Sequence, residues 1–216
     1  MEATYLSSFL DVGGLSIRYW SGVKDKNAEV KRKPSVVLFH GNAFSLDNWI
    51  TSGTLELLSK EGFDVFAVDL PAGRGSKSSK VEKKKIQDYV PILEGIFAKL
   101  RVGDESRPVV LIGPSMGGGF ALAYSIAHPE AVSALVLISP SIRSIDEASL
   151  SALEMPVLLL WGDRDNVFPV ESYGKGLKNQ FPHAKLLILK GAGHAAYLDR
   201  PEEFHEILLD FLGDIM

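Results

Sequence analysis

Cysteine is absent from the chain, which excludes a disulfide scaffold, thiol catalysis and thiolate metal sites. The absence fits a reducing cytosol. Long hydrophobic runs are missing too: no window approaches the ~18 uninterrupted apolar residues of a membrane span. The N-terminus, MEATYLSSFLDVGG, has neither a positive n-region nor a long apolar stretch, so no signal peptide is expected and the expected location is cytoplasmic. A large excess of one sign of charge is lacking: the net charge is −4, which gives no general reason to expect nucleic acid or a membrane as a partner. Repeats, low-complexity segments and domain boundaries are not evident either.

What is present is ordinary for a globular protein, 216 residues of which 46% are hydrophobic and 23% charged. That length is most simply one domain spanning 1–216, large enough to bury roughly 70% of the surface of its unfolded chain. Two lysine-rich stretches, Lys24–Lys33 and Lys77–Lys85, lie between apolar segments. They read as solvated loops; the second, next to a motif treated below, could also draw an anionic substrate to a rim.

Phe9–Trp20 reads as two strands around a Gly-Gly turn. Short apolar runs follow at Ser35–His40, Phe63–Pro71, Pro108–Gly113, Ala134–Ser139, Pro156–Gly162 and Ala184–Gly191. They are almost continuously apolar, as expected of parallel strands buried on both faces. Helical spacing predicts helices over Asn48–Lys60, Ile86–Leu100, Gly117–Ala127, Val170–Gln180 and Pro201–Leu212. For the last, Asp199 and Glu202 have capping-box spacing and Pro201 suits the first turn. Alternating strands and helices after a hairpin predict an α/β fold, a mostly parallel twisted sheet of about eight strands with helices on both faces. Ligands of such sheets bind beyond the carboxyl ends of the strands, so the chemistry should follow the apolar runs.

After PVVLI comes GPSMGGGF, Gly113 to Phe120. It could be a phosphate-cradling loop or a turn that presents a nucleophilic serine. A Walker loop requires a lysine after the glycines, and none follows. A dinucleotide fingerprint would place Ser115 on the middle glycine, and the next strand ends ISPS without an acidic residue. G-x-S-x-G fits better. The serine sits on a strained strand-to-helix turn, small residues two positions either side avoid collision, and the N–H of Met116 can face a developing oxyanion. Gly118 and Gly119 each lower helix propensity by about 1 kcal/mol relative to Ala, which close packing of helix on sheet would justify.

PVLLLWG runs into Asp163-Arg164-Asp165, and either aspartate could orient a histidine. LLILKG runs into Ala192-Gly193-His194, a histidine on a glycine-flanked loop at a strand end. His128, His183 and His205 read as satisfied polar or surface residues. SVVLFH runs into His40-Gly41-Asn42, where the turn lets the Asn42 amide join that of Met116 in an oxyanion hole; His40 reads as a loop-fixing residue.

Ser115, an aspartate, then His194, each at a strand end, reproduces the chain order of α/β-hydrolases. The chain resembles that superfamily over essentially its whole length through HGNAFSLDNW, DLPAGRGSKS, GPSMGG, WGDRDNVFP and GAGHAAYLDRPEEF. Within it the chain is similar to the small, lidless abhydrolase-domain-14 group, which shares Gly53-Thr54-Leu55, the DLPG-like loop and KGAGH followed by YLD-x-PEE. The superfamily pattern G-x-x-D-x-x-x-P falls on Gly162, Asp165 and Pro169. The resemblance therefore implies Asp165 as the catalytic acid, beside Ser115 and His194, with no metal or organic cofactor. Between Pro140 and Pro156 only residues 141–155 are available, too few for a cap domain. An open pocket suits short acyl groups, with Phe44, Met116, Phe168, Ile142 and Ile145 as candidate walls or core residues. The expected activity is a carboxylesterase on small-molecule esters. The alternatives are an acyltransferase or deacylase with an acceptor other than water, and a non-catalytic interaction protein on the same scaffold.

Overall fold

The computed structural model describes residues 5–22, 33–83, 85–143, 145–181 and 183–216. β1 (Tyr5–Val12) and β2 (Leu15–Gly22) pair antiparallel through Gly13 and Gly14. Both glycines take positive φ, 59° and 84°, giving a tight turn whose twist suits a hairpin. The later apolar runs form β3 (Ser35–Phe39), β4 (Asp64–Val68), β5 (Val109–Pro114), β6 (Val132–Ile138), β7 (Val157–Gly162) and β8 (Ala184–Leu189). One eight-stranded sheet results, in the order β1-β2-β4-β3-β5-β6-β7-β8. Its first two pairings beyond the edge are antiparallel and all later neighbours are parallel.

The helices are α1 (Asp47–Thr51), α2 (Thr54–Lys60), α3 (Val90–Leu100), α4 (Met116–Ala127), α5 (Glu147–Ser151), α6 (Lys175–Gln180), α7 (Ala196–Asp199) and α8 (Pro201–Asp214). Because side chains alternate along a strand, each face of the sheet has its own core. On one, Phe39, Leu111 and Leu137 pack with Leu93, Phe97 and Phe120 of α3 and α4. On the other, Leu38, Ile112 and Val136 pack with Trp49, Leu55, Phe204 and Leu208 of α1, α2 and α8. Among the described residues no helix is long and apolar enough to cross a membrane.

Several expected elements differ. The helix over Asn48–Lys60 is two helices, separated at Gly53, whose φ of 77° no continuous helix accommodates. The segment from Ile86 begins as a 3-10 turn, Ile86–Tyr89, before α3. Pro91 lacks the N–H that an unbroken α-helix would direct to Gln87. Val170–Gly174 is a π-helical turn that runs into α6; there the missing side chain of Gly174 lets the turn lie against the Trp161 ring. Asp199 does not cap α8. It ends α7, and its carboxylate bonds a different loop. β8 is not buried on both faces, since it is an edge strand with Leu187 and Ile188 exposed. Of the first lysine-rich stretch, residues 24–32 lie outside the described residues, as does Lys84 of the second.

Candidate active site

Ser115 connects β5 to α4 with φ 49° and ψ −115°, a left-handed conformation that costs a non-glycine residue about 1–3 kcal/mol. Two hydrogen bonds to the corner after β6 hold it there. Its N–H donates to Ile138 O at 2.8 Å, and Ser141 N–H donates to Ser115 O at 2.8 Å. The flanking glycines are required by close backbone approach. A Cβ on Gly113 would overlap the Gly117 backbone, and one on Gly117 would lie 2.7 Å from His40 O. Gly118 and Gly119 meet the corner after β6, where their Cβ atoms would lie 2.6 Å from Pro140 Cβ and 2.5 Å from Ser141 O, and Gly118 also meets the sheet, 2.9 Å from Gly113 O.

At the end of β7, Gly162 has no room for a side chain because the Ala192 carbonyl occupies it. This contact brings the Asp165 loop against the His194 loop. The Asp165 side chain is fully buried. Its Oδ1 accepts the N–H groups of Val167 and Phe168, both at 2.9 Å, and its Oδ2 lies 2.8 Å from His194 Nδ1. Burial alone would raise the carboxyl pKa. The bond from His194, the N–H groups of Phe168 and Val167, and the Ser139 side chain outweigh burial and hold it below the usual range. An ionised Asp165 accepts only, so the imidazole proton sits on Nδ1 and Nε2 presents a lone pair. Asp163 is exposed and accepts Gly191 N–H at 2.6 Å. Asp199 Oδ2 accepts Gly193 N–H at 2.7 Å. Three carboxylates thus grip the loop that carries His194, and the role of Asp199 was hidden by its helix-cap spacing. Among the described residues Ser115 Oγ makes no hydrogen bond to the imidazole.

The third loop follows β3. Leu70 N–H donates to His40 Nε2 at 2.9 Å, so the ring proton is on Nδ1 and bonds Gly41 O at 2.8 Å. Burial lowers the pKa of His40 and keeps it neutral, which makes it a loop-fixing residue as the sequence suggests. The Asn42 carbonyl accepts Arg74 N–H at 2.6 Å and Gly75 N–H at 3.2 Å. Neither Asn42 N–H nor Met116 N–H has an acceptor among the described residues; the latter is one of the open donors of a helix start. A Cβ on Gly73 would lie 3.1 Å from Asn42 O and 2.9 Å from Met116 Cε, so the two residues meet at the same glycine.

Phe168 presents its ring edge-on to His194, with centroids 5.3 Å apart, and Tyr173 lies 5.2 Å beyond it. Phe44 is half-buried against Gly41 and Gly75. Ile142 and Ile145 form a turn, bonded at 3.0 Å, and pack on the same core as Met116 and Phe168. His128 pairs with Glu94, His205 with Thr54, and His183 is exposed. A charged cluster that sequence patterns do not reveal ties β2 to the loops after β3 and β4. Arg18 grips Asp47 with two bonds of 3.0 and 2.7 Å, Lys77 Nζ reaches Asp47 at 2.7 Å, and the buried Asp69 accepts Leu46 N–H at 2.6 Å. Among the described residues no group of three His, Asp or Glu is placed to hold a metal ion.

A family model described as the alpha/beta hydrolase fold matches residues 34–150 and 142–201. ABHD14A of Rattus norvegicus is 35% identical over 184 residues, which cover 85% of this chain and 73% of the rat protein. Human ABHD14B, which its name gives provisionally as a protein-lysine deacylase, is 35% identical over 181 residues, 82% of each chain. Among solved structures, a hydrolase of Thermoplasma acidophilum described as CIB-like superposes with a TM-score of 0.84 at 26% identity, over 97% of this chain and 98% of that one.

Proposed function

The chain belongs to the α/β-hydrolase family, and from that premise we propose that it is a serine hydrolase that cleaves short-chain carboxylic esters through an acyl-enzyme on Ser115. The observation that carries the reading is the 2.8 Å bond from His194 Nδ1 to a buried Asp165, which leaves Nε2 as a base. As Ser115 Oγ attacks the ester carbonyl, Nε2 takes its proton, and Asp165 fixes the tautomer and stabilises the imidazolium. The open Asn42 and Met116 N–H groups stabilise the tetrahedral oxyanion. The imidazolium gives its proton to the leaving alcohol. Water, deprotonated at Nε2, then attacks the acyl carbonyl, and the proton returns to Ser115 Oγ as the carboxylic acid leaves. A serine–imidazole bond that is absent here is commonly long until substrate is bound.

The site is read as open and without a lid, because among its described residues the connection from Ser141 to Met155 holds one helix, α5, five residues long. Phe44, Phe168, Ile142 and Ile145 are proposed to wall a small acyl pocket. One observation favours a second reading, the 35% identity with a human protein provisionally named a protein-lysine deacylase. The same residues would then deliver the imidazolium proton to an amine. Rates on a chromogenic ester series of rising acyl length, set beside rates on acetyl-lysine peptides, separate the two. The primary reading predicts the highest kcat/KM on the shortest esters. Turnover of the peptides with none of any ester would replace it by the second.

A further inference from the structure

Among the described residues three non-glycine residues have positive φ: Arg101, Ser115 and Ser139. Ser139, at 42°, follows the last residue of β6 and is fully buried. It stands in the corner that holds the Ser115 turn, between Ile138, whose carbonyl accepts Ser115 N–H, and Ser141, whose N–H donates to Ser115 O. Its own N–H donates to Leu160 O at 3.0 Å, which fastens it to β7 near the start of the Asp165 loop. A left-handed residue at a strand end breaks the alternation of side-chain direction, and strain of this kind marks positions where a particular orientation is enforced.

The Ser139 hydroxyl is buried and makes no hydrogen bond of standard geometry among the described residues. Buried hydroxyls without partners are uncommon. The hydroxyl is among the groups that act on the Asp165 carboxyl and hold it below its usual range against its burial. Asp165 Oδ1 already accepts two N–H groups, while Oδ2 carries only the bond to His194. A carboxylate oxygen has two lone pairs, so Oδ2 has one left.

We propose that Ser139 is a positioning residue for the hydrolysis described above, its hydroxyl donating to Asp165 Oδ2 and keeping that oxygen aligned with His194 Nδ1. The proposal rests on the serine-hydrolase reading. The corner after β6 then serves both halves of the site, with its backbone fixing Ser115 and its one buried hydroxyl fixing the acid that orients the base.

The test uses Ser139→Ala, which deletes the hydroxyl and keeps the backbone strain, and Ser139→Gly, which deletes the hydroxyl and relieves it. Steady-state hydrolysis of a chromogenic acetate ester is measured together with the downfield proton resonance of His194 Nδ1–H. Both variants should lose about tenfold in kcat, the size of one hydrogen bond to a charged group, with KM unchanged and the resonance displaced. Unchanged kcat in both variants overturns the proposal. So does full activity in Ser139→Gly alone, which would assign the effect to backbone strain, and so does a loss of kcat with the resonance in place. Labelling of Ser115 by a fluorophosphonate in the wild-type chain keeps these outcomes separate: its absence would overturn the underlying reading instead.

Discussion

Asp163 and Asp165 are two residues apart and chemically alike, yet they hold different partners. Asp163 accepts one backbone N–H from Gly191, whereas Asp165 accepts two and also holds the imidazole. Asparagine at position 163 can still accept the Gly191 N–H through its carbonyl oxygen, so Asp163→Asn should leave kcat nearly unchanged. Asparagine at 165 can turn its NH2 toward the imidazole and stabilise the wrong tautomer, so Asp165→Asn should lower kcat by about 10³–10⁴-fold. Steady-state kinetics of the two variants check this, and a larger loss at 163 would reverse the assignment. Ser115→Ala and His194→Ala should each abolish most ester hydrolysis, and the double variant should be little worse, because groups that act as a unit are not additive. Losses that multiply would contradict a shared step. At this scale Ser115 and His194 were legible as candidates for nucleophile and base, since each is a reactive side chain at its strand end. The grip of Asp199 on Gly193 was not, because a helix-start spacing and a loop contact look alike until the loop is folded.

The element that most constrains the site is α4, whose glycines meet the corner after β6. A methyl on Gly119 would lie 2.5 Å from Ser141 O, a backbone atom that also belongs to the corner fixing Ser115. Overpacking of this kind costs about 1–3 kcal/mol, more than the ~1 kcal/mol that alanine gains in helix propensity. Gly119→Ala should therefore lower Tm and slow hydrolysis. Gly176→Ala in α6 is the control: nothing lies within 4 Å of its Cβ position, so alanine there should stabilise by about 0.5–1 kcal/mol with activity intact. Thermal melts and initial rates of both variants test the pair. The sequence pattern located α4 and marked its glycines as unusual, but what they touch is a segment some twenty residues downstream. The breaks at Gly53 and ahead of α3 were hidden for a similar reason: apolar spacing continues across them while the backbone does not.

At the scale of the whole molecule, strand type and parallel pairing followed from nearly continuous apolar runs, and the position of the candidate site followed from the ends of those strands. The exposure of β8 did not, because an edge strand can carry as many apolar residues as a central one. Nor did the cluster of Arg18, Asp47, Asp69 and Lys77, which joins β2 to the segments after β3 and β4. Hydrogen bonds from Arg18 and then from Lys77 and Ser45 hold the Asp47 carboxyl well below its usual range, against the opposing effect of burial. A folded-state pKa below the unfolded value of about 3.9 gives stability that is complete above that value and is lost as pH falls through the folded one. Asp165 acts with the same sign. The wild-type Tm should thus fall more steeply below about pH 4 than that of Asp47→Asn, which starts lower at neutral pH. Parallel Tm curves for the two proteins would show that the ion cluster contributes nothing to acid sensitivity.

Reaction of the chain with a fluorophosphonate, followed by peptide mass spectrometry, reports directly on whether Ser115 is the nucleophile. One adduct is expected, on Ser115, absent from Ser115→Ala and formed far more slowly in His194→Ala. An unmodified chain, or an adduct on another serine such as Ser141, would contradict it.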